Sequence, residues 1–231
     1  MIPPVILLRI AVSRLTIRHF SANPEAGPDS VTRLGIFGGT FDPIHHGHLI
    51  IADELRHKLA LERVLFLPAG RPPHKTEQDI TSDDHRLTML EMAIARDPRF
   101  EISMIDIERS GLSYTADSML EHQERYPDAE ITFLMGQDSF RDLPYWHEPG
   151  RLAALVELGV ALRPGVVVDT ESILQRVPEI DGRVHFVDVP LIQIASSEIR
   201  RRVRVNEPIR YHVPNCVADY VIENGLYLRQ P

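Results

Sequence analysis

The sequence predicts an α/β fold: a doubly wound parallel sheet with helices on both faces and a small helical portion at the C-terminal end. Three observations predict it. Short, wholly apolar runs of strand length alternate with segments whose apolar residues recur at helical spacing. Several of those runs end abruptly at glycine or proline. The chain has 231 residues, enough for one domain or one domain with a small appendage.

Each element follows from its residues. Leu34–Phe37 is a buried strand ending in Gly38-Gly39. Leu49, Ala52, Leu55 and Leu59 lie on one face of a helix. Val64–Leu67 is a second strand, stopped by Pro68. Thr81-Ser82-Asp83-Asp84 has the form of a capping box and opens a helix through Ala95. Ile102–Ile107 is expected to be a strand, and Ser113–Tyr126 a helix ended by Pro127. Ile131–Met135 is a strand leading into Gly136; Val160–Leu162 and Val184–Val187 are two more. Ser196–Arg204 and Asn215–Glu223 are the closing helices. Residues 34–231 are thus expected to form a single domain.

Residues 1–33 have a different character. They carry Arg9, Arg14 and Arg18, no acid before Glu25, and the turn formers Asn23, Pro24, Gly27 and Pro28. A flexible extension is expected, with an Arg-rich targeting peptide as the alternative. The apolar stretch from Ile2 to Leu8 holds Pro3 and Pro4 and suits a secretory signal poorly.

Composition removes several classes. Apolar residues are 43% and charged residues 25%, which excludes disorder, collagen and coiled coil for the whole chain. The net charge is −8, unsuited to nucleic acid or an anionic membrane, although a local basic patch can still hold a small anion. Cys216 is the single cysteine, so neither an intrachain disulfide nor a Cys-rich zinc site can form; a reducing, cytoplasmic setting is expected. No apolar run reaches the ~18 residues of a membrane span.

In a doubly wound sheet, ligands bind outside the carboxyl ends of the strands, where the strand order reverses. The sharpest signal sits at the first strand end. Residues 35–48 read Gly-Ile-Phe-Gly-Gly-Thr-Phe-Asp-Pro-Ile-His-His-Gly-His. This is neither a dinucleotide fingerprint nor a Walker A loop. Gly38 and Gly39 let backbone N–H groups approach a phosphate closely. His45 and His48 share a face if a helix starts between them, beside an N-terminus that favours anions. Gly-Gly alone is a turn and a histidine pair alone is a surface feature; their combination after a strand is far more specific.

That segment resembles the nucleotidyltransferase superfamily, which transfers the nucleoside monophosphate of a nucleoside triphosphate. Later segments narrow the resemblance. Pro72-Pro73-His74-Lys75, Ser113-Tyr114-Thr115-Ala116-Asp117-Ser118, Gly136-Gln137-Asp138, Leu143-Pro144-Tyr145-Trp146 and Ala195-Ser196-Ser197-Glu198-Ile199-Arg200 are similar, in order, to the motifs of bacterial nicotinate-nucleotide adenylyltransferases. Pro208, Tyr211-His-Val-Pro214, Val217, Tyr220 and Asn224-Gly-Leu-Tyr227 match that family's C-terminal end. Ala195 departs from it, standing where the family often has the first serine, and Ser197 replaces a frequent threonine.

The resemblance implies a Rossmann-like fold and adenylyl transfer from ATP to nicotinate mononucleotide. The alternatives are action on nicotinamide mononucleotide or phosphopantetheine, or an inactive nucleotide-binding regulator. It implies His45 and His48 as catalytic residues. Gly38, Gly39, Thr40, Phe41, Lys75, Asp138, Ser196, Ser197 and Arg200 are implied for ATP, and Thr115 and Trp146 for the mononucleotide. Mg²⁺ is expected to arrive with ATP, without a dedicated protein site. Homo-oligomerisation is left open.

Overall fold

A computed structural model describes residues 32–70, 80–163 and 167–228. Six parallel strands form one sheet in the order β3-β2-β1-β4-β5-β6. They are β1 (Thr32–Gly39), β2 (Arg63–Pro68), β3 (Phe100–Ile102), β4 (Ala129–Gly136), β5 (Glu157–Leu162) and β6 (Val184–Asp188). From β1 the chain winds outward to β3 at one edge. It then returns to lay β4 against the other side of β1, pairing Ile36 with Phe133. The reversal between β1 and β4 creates the crevice that this topology offers to ligands.

Both faces of the sheet are covered, as an all-parallel sheet requires. Alternation along each strand decides which residue meets which layer. Ile36, Leu65, Leu67, Ile131, Phe133 and Met135 face one core. Phe37, Val64, Phe66, Leu134 and Ala161 face the other. The first layer is closed by α3 (Ile105–Glu108), α4 (Thr115–Arg125), α5 (Gln137–Asp142), α6 (Pro149–Leu155) and α7 (Thr170–Arg176). The second is closed by α1 (His46–Lys58), α2 (Asp83–Ile94), α8 (Ser196–Arg204) and α9 (Asn215–Glu223).

Most expected elements are present, and three local expectations fail. The strand expected over Ile102–Ile107 stops at Ile102. Ser103 N–H makes a final bond to Phe66 O (2.8 Å), and the chain then turns into α3. The main-chain groups that a longer strand would have paired are used within α3, where Glu108 N–H donates to Met104 O (2.9 Å) and Arg109 N–H to Ile105 O (3.2 Å); the Asp106 carboxylate accepts from Ser118 Oγ, which ties α3 to α4. The capping box at Thr81–Asp84 does not form: Ser82 is the N-cap of α2 but makes no side-chain cap bond. Asp83 instead pairs with Arg86 at 2.5 Å. Helices α5, α6 and α7 were not expected, being only six or seven residues long. β1 begins at Thr32, two residues before the expected Leu34.

Candidate active site

The site forms where β1 gives way to α1. His45 is the N-cap of α1 and His48 is its third residue. The two side chains cap each other's backbone. His48 N–H donates to His45 Nδ1 at 3.2 Å, and His45 N–H donates to His48 Nδ1 at 3.3 Å. The imidazoles stack with centroids 3.6 Å apart and planes 16° from parallel. Gly47 makes the stack possible, since a Cβ there would lie 3.0 Å from the His45 ring.

This reciprocal cap fixes the tautomers. A ring nitrogen that accepts a hydrogen bond carries no proton, so each neutral ring keeps its proton on Nε2. Burial pulls the His45 pKa down to about 4, assisted by the charges of His46 and Arg163. Burial also holds His48 well below the usual histidine range, with His45 and Arg163 adding to the effect. Both rings are therefore neutral at pH 7, each presenting one Nε2–H donor that has no partner among the described residues.

The loop before the histidines is shaped by aromatic packing. Phe41 adopts a left-handed backbone (φ 50°), and its ring packs edge-on against Phe37, Phe66 and His48. A Cβ at Gly39 would lie 2.7 Å from that ring, and one at Gly38 would lie 3.1 Å from Phe133. The two glycines thus admit the rings as well as opening the loop. Phe41, expected to line a phosphate cradle, has a buried side chain, so only its backbone is available to a ligand there.

The start of α8 packs on the same loop. Ser196 Oγ donates to Pro43 O (2.9 Å), and Arg200 Nη1 donates to Asp42 O (2.7 Å). Ser197 is exposed in the first turn. Nε and Nη2 of Arg200 have no partner among the described residues. The backbone N–H of His46, at the start of α1, bonds His212 O (3.1 Å), which ties α1 to the Tyr211–Pro214 segment. Two helix N-termini, two neutral imidazole donors and a guanidinium with two nitrogens to spare therefore surround one loop, a combination suited to a polyanion.

Across the topological switch lie the residues expected for a mononucleotide. Thr115 is the first residue of α4, and Tyr114, its N-cap, lies 4.1 Å from the His147 ring. Trp146 is partly buried and meets Phe133 edge-on at 6.1 Å. Phe133 also underlies Gly38, so the indole and the glycine loop share a neighbour. Asp117 pairs with Arg151 (2.9 Å), which ties α4 to α6. Asp138, after β4, pairs with Arg163 (2.9 Å), after β5. Lys75 and the Pro72-Pro73-His74 stretch lie outside the described residues. Among the described residues, no group of three His, Cys, Asp or Glu side chains is placed to hold a metal ion, and no helix is long and apolar enough to cross a membrane.

Residues 36–202 match the model of the cytidylyltransferase-like family. A probable nicotinate-nucleotide adenylyltransferase of Thermomicrobium roseum is 57% identical over 197 residues, covering 85% of this chain and 92% of that protein. The chain belongs to the nicotinate-nucleotide adenylyltransferase family. Another probable member, from Desulfitobacterium hafniense, is 42% identical over 197 residues, covering 84% of this chain and 95% of that protein. The fold is shared with the Plasmodium falciparum nicotinic acid mononucleotide adenylyltransferase solved with NaAD, at a TM-score of 0.71 and 23% identity, covering 85% of this chain and 97% of that one.

For a nicotinate-nucleotide adenylyltransferase, three residues to which the motifs gave no role in the site stand close to the loop, Tyr227 having been matched only as part of the C-terminal end. Arg86 is fully buried, and its guanidinium donates to Thr40 O (2.7 Å), Ala69 O (2.7 Å) and Thr81 O (3.2 Å). Arg163 follows β5 directly and acts electrostatically on both histidines. Its position at a strand end is the signal that could have found it. Tyr227 donates to Asp42 Oδ1 at 2.7 Å.

Proposed function

We infer that this protein transfers the adenylyl group of ATP to nicotinate mononucleotide, releasing pyrophosphate and forming deamido-NAD. The observation that carries the reading is the reciprocal histidine cap at the switch point, which yields two neutral Nε2–H donors beside a helix N-terminus. Family membership supplies the substrates.

A 5′-phosphate oxygen of the mononucleotide attacks the α-phosphorus of ATP. The new P–O bond forms as the bond between the α-phosphorus and the bridging oxygen breaks, and pyrophosphate carries away the electron pair. The attacking oxygen is already anionic near pH 7, so no general base is required. Catalysis then reduces to alignment and to stabilising charge at the α-phosphate. His45 and His48 donate to that phosphate. The backbone of Gly38, Gly39, Thr40 and Phe41 lines the cradle. Ser196, Ser197 and Arg200 hold the β- and γ-phosphates, and Lys75 adds positive charge. Thr115 and Trp146 hold the pyridine ring, with the indole face stacked upon it. Asp138 contacts a ribose or the bound nucleotides.

The donor set around the loop consists of N–H groups, hydroxyls and a guanidinium, which suits phosphate oxygens and not a cation. None of these residues would serve as a Mg²⁺ ligand; an ion arriving with the triphosphate would supply charge neutralisation there. A cytoplasmic setting and a single domain that begins with β1 at Thr32 complete this reading.

The test is pyrophosphate release from ATP and Mg²⁺ with nicotinate mononucleotide, nicotinamide mononucleotide or phosphopantetheine offered in parallel. Strong release with the first, and deamido-NAD as product, is the expected result. Preference for the amide would keep the chemistry and change the substrate. Release only with phosphopantetheine, or ATP binding without release, would overturn the assignment.

A further inference from the structure

We propose that Tyr227 is a positioning residue for the triphosphate grip: its hydroxyl holds the Asp42 carboxylate short of Arg200 and so leaves that guanidinium open to phosphate. The proposal rests on the reading of Arg200 as a phosphate ligand.

Asp42 lies in the loop between the glycines and the histidines and is only 3% exposed. Its carboxylate has three neighbours. Tyr227 Oη donates to Oδ1 at 2.7 Å, and Thr81 N–H donates to Oδ2 at 3.3 Å. Arg200 Nη1 stands 3.9 Å from Oδ2 while bonding the Asp42 main-chain oxygen at 2.7 Å. A buried carboxylate this close to a guanidinium is drawn toward the two-bond pairing that arginine favours. That pairing would occupy the donors a triphosphate needs. One bond to each carboxylate oxygen, from Tyr227 and from Thr81, restrains it.

Tyr227 is well made for the task. Burial and the Asp42 charge push its phenol far above the usual tyrosine range, so it remains a donor at every working pH. Its backbone is left-handed at φ 64°, a conformation that a non-glycine residue keeps only when its surroundings enforce it. Gly225, also left-handed at φ 59°, turns the chain after α9. Leu226 then bonds Val221 O (3.0 Å) and packs against the core, delivering the tyrosine to the loop. The role needs no contact between Tyr227 and substrate.

The experiment uses the full chain. Tyr227→Phe removes the donor and keeps the ring. The expected result is an ATP KM raised about tenfold, with kcat within about twofold and the mononucleotide KM unchanged. Inhibition by tripolyphosphate, which probes the phosphate grip alone, should weaken in parallel. Adding Asp42→Asn removes the competing charge and should bring the ATP KM back to within about threefold of the parent. A lowered Tm with an unchanged ATP KM would overturn the proposal, as would equal rises in both KM values. If Tyr227→Phe alone does not fold, the double variant decides, and a raised ATP KM in it would overturn the proposal. Arg200→Ala separates the two layers of the argument. An unchanged ATP KM there removes the phosphate reading itself, whereas a raised one beside a silent Tyr227→Phe removes only the role of Tyr227.

Discussion

Arg86 and Arg200 hold the same short stretch of loop, one at Thr40 and the other at Asp42. Arg86 is completely buried, and its guanidinium is committed to three carbonyls and the Asp83 carboxylate. Arg200 is partly exposed and commits one nitrogen, leaving two without partners among the described residues. The contrast separates two uses of one side chain. A cation whose three nitrogens are all engaged, by three main-chain oxygens and one carboxylate, fixes the ends of β1 and β2 and the entry to α2. A cation with donors to spare can receive a ligand. Charge alone distinguishes neither, since both carry the same.

The comparison can be broken in four ways. The largest effect is expected from Arg86→Ala, which orphans buried carbonyls and should lower stability by roughly 3–5 kcal/mol in chemical denaturation. A loss below about 1 kcal/mol would deny Arg86 its structural role. His48→Ala should keep the fold and reduce kcat by about a hundredfold or more, as loss of one preorganised transition-state donor does. Turnover near that of the parent would remove the histidine from the mechanism. Arg200→Ala should raise the ATP KM about tenfold while moving Tm little, the reverse of the Arg86 pattern. Large unfolding with unchanged KM would make the two arginines alike.

The smallest effect is a pH dependence. His45 titrates near 4 in the folded protein, against about 6.5 when unfolded. Below about 6.5 the unfolded chain binds a proton that the folded one excludes, so stability is full above that pH and falls as pH drops toward 4. Tm measured across this window should decline less steeply in His45→Asn than in the parent. Identical slopes would mean that His45 is not held neutral by the fold.

The sequence made the framework and the ligand-facing motifs readable for physical reasons. Gly38-Gly39, Pro68 and Gly136 punctuate apolar runs, so the strand ends were marked by residues with distinctive backbones. Ser196–Arg204 and Asn215–Glu223 coincide with α8 and α9. Other features depend on partners far along the chain. Arg86 follows Asp83-Asp84-His85 and has the look of a solvated helix face; only Thr40 and Ala69, distant in sequence, make it a core residue. Ile102–Ile107 has the composition of a strand, yet its main chain turns into α3 after Ile102, where Asp106 packs against Ser118 of α4, further along the chain. Helices as short as α6 show too little periodicity to register. Tyr227 was visible as part of a C-terminal match, yet nothing near it in sequence points to Asp42.

The mutual capping of His45 and His48 has a genetic consequence. Each imidazole anchors the other's main chain, so neither position mutates on an unchanged background. Losing one ring frees the survivor's Nδ1 and removes its stacking partner. The double substitution should therefore harm turnover scarcely more than the worse single one, a strongly epistatic pair instead of two independent contributions. Evolutionary paths through one replaced histidine would meet most of the loss at the first step, leaving little selection to preserve the second.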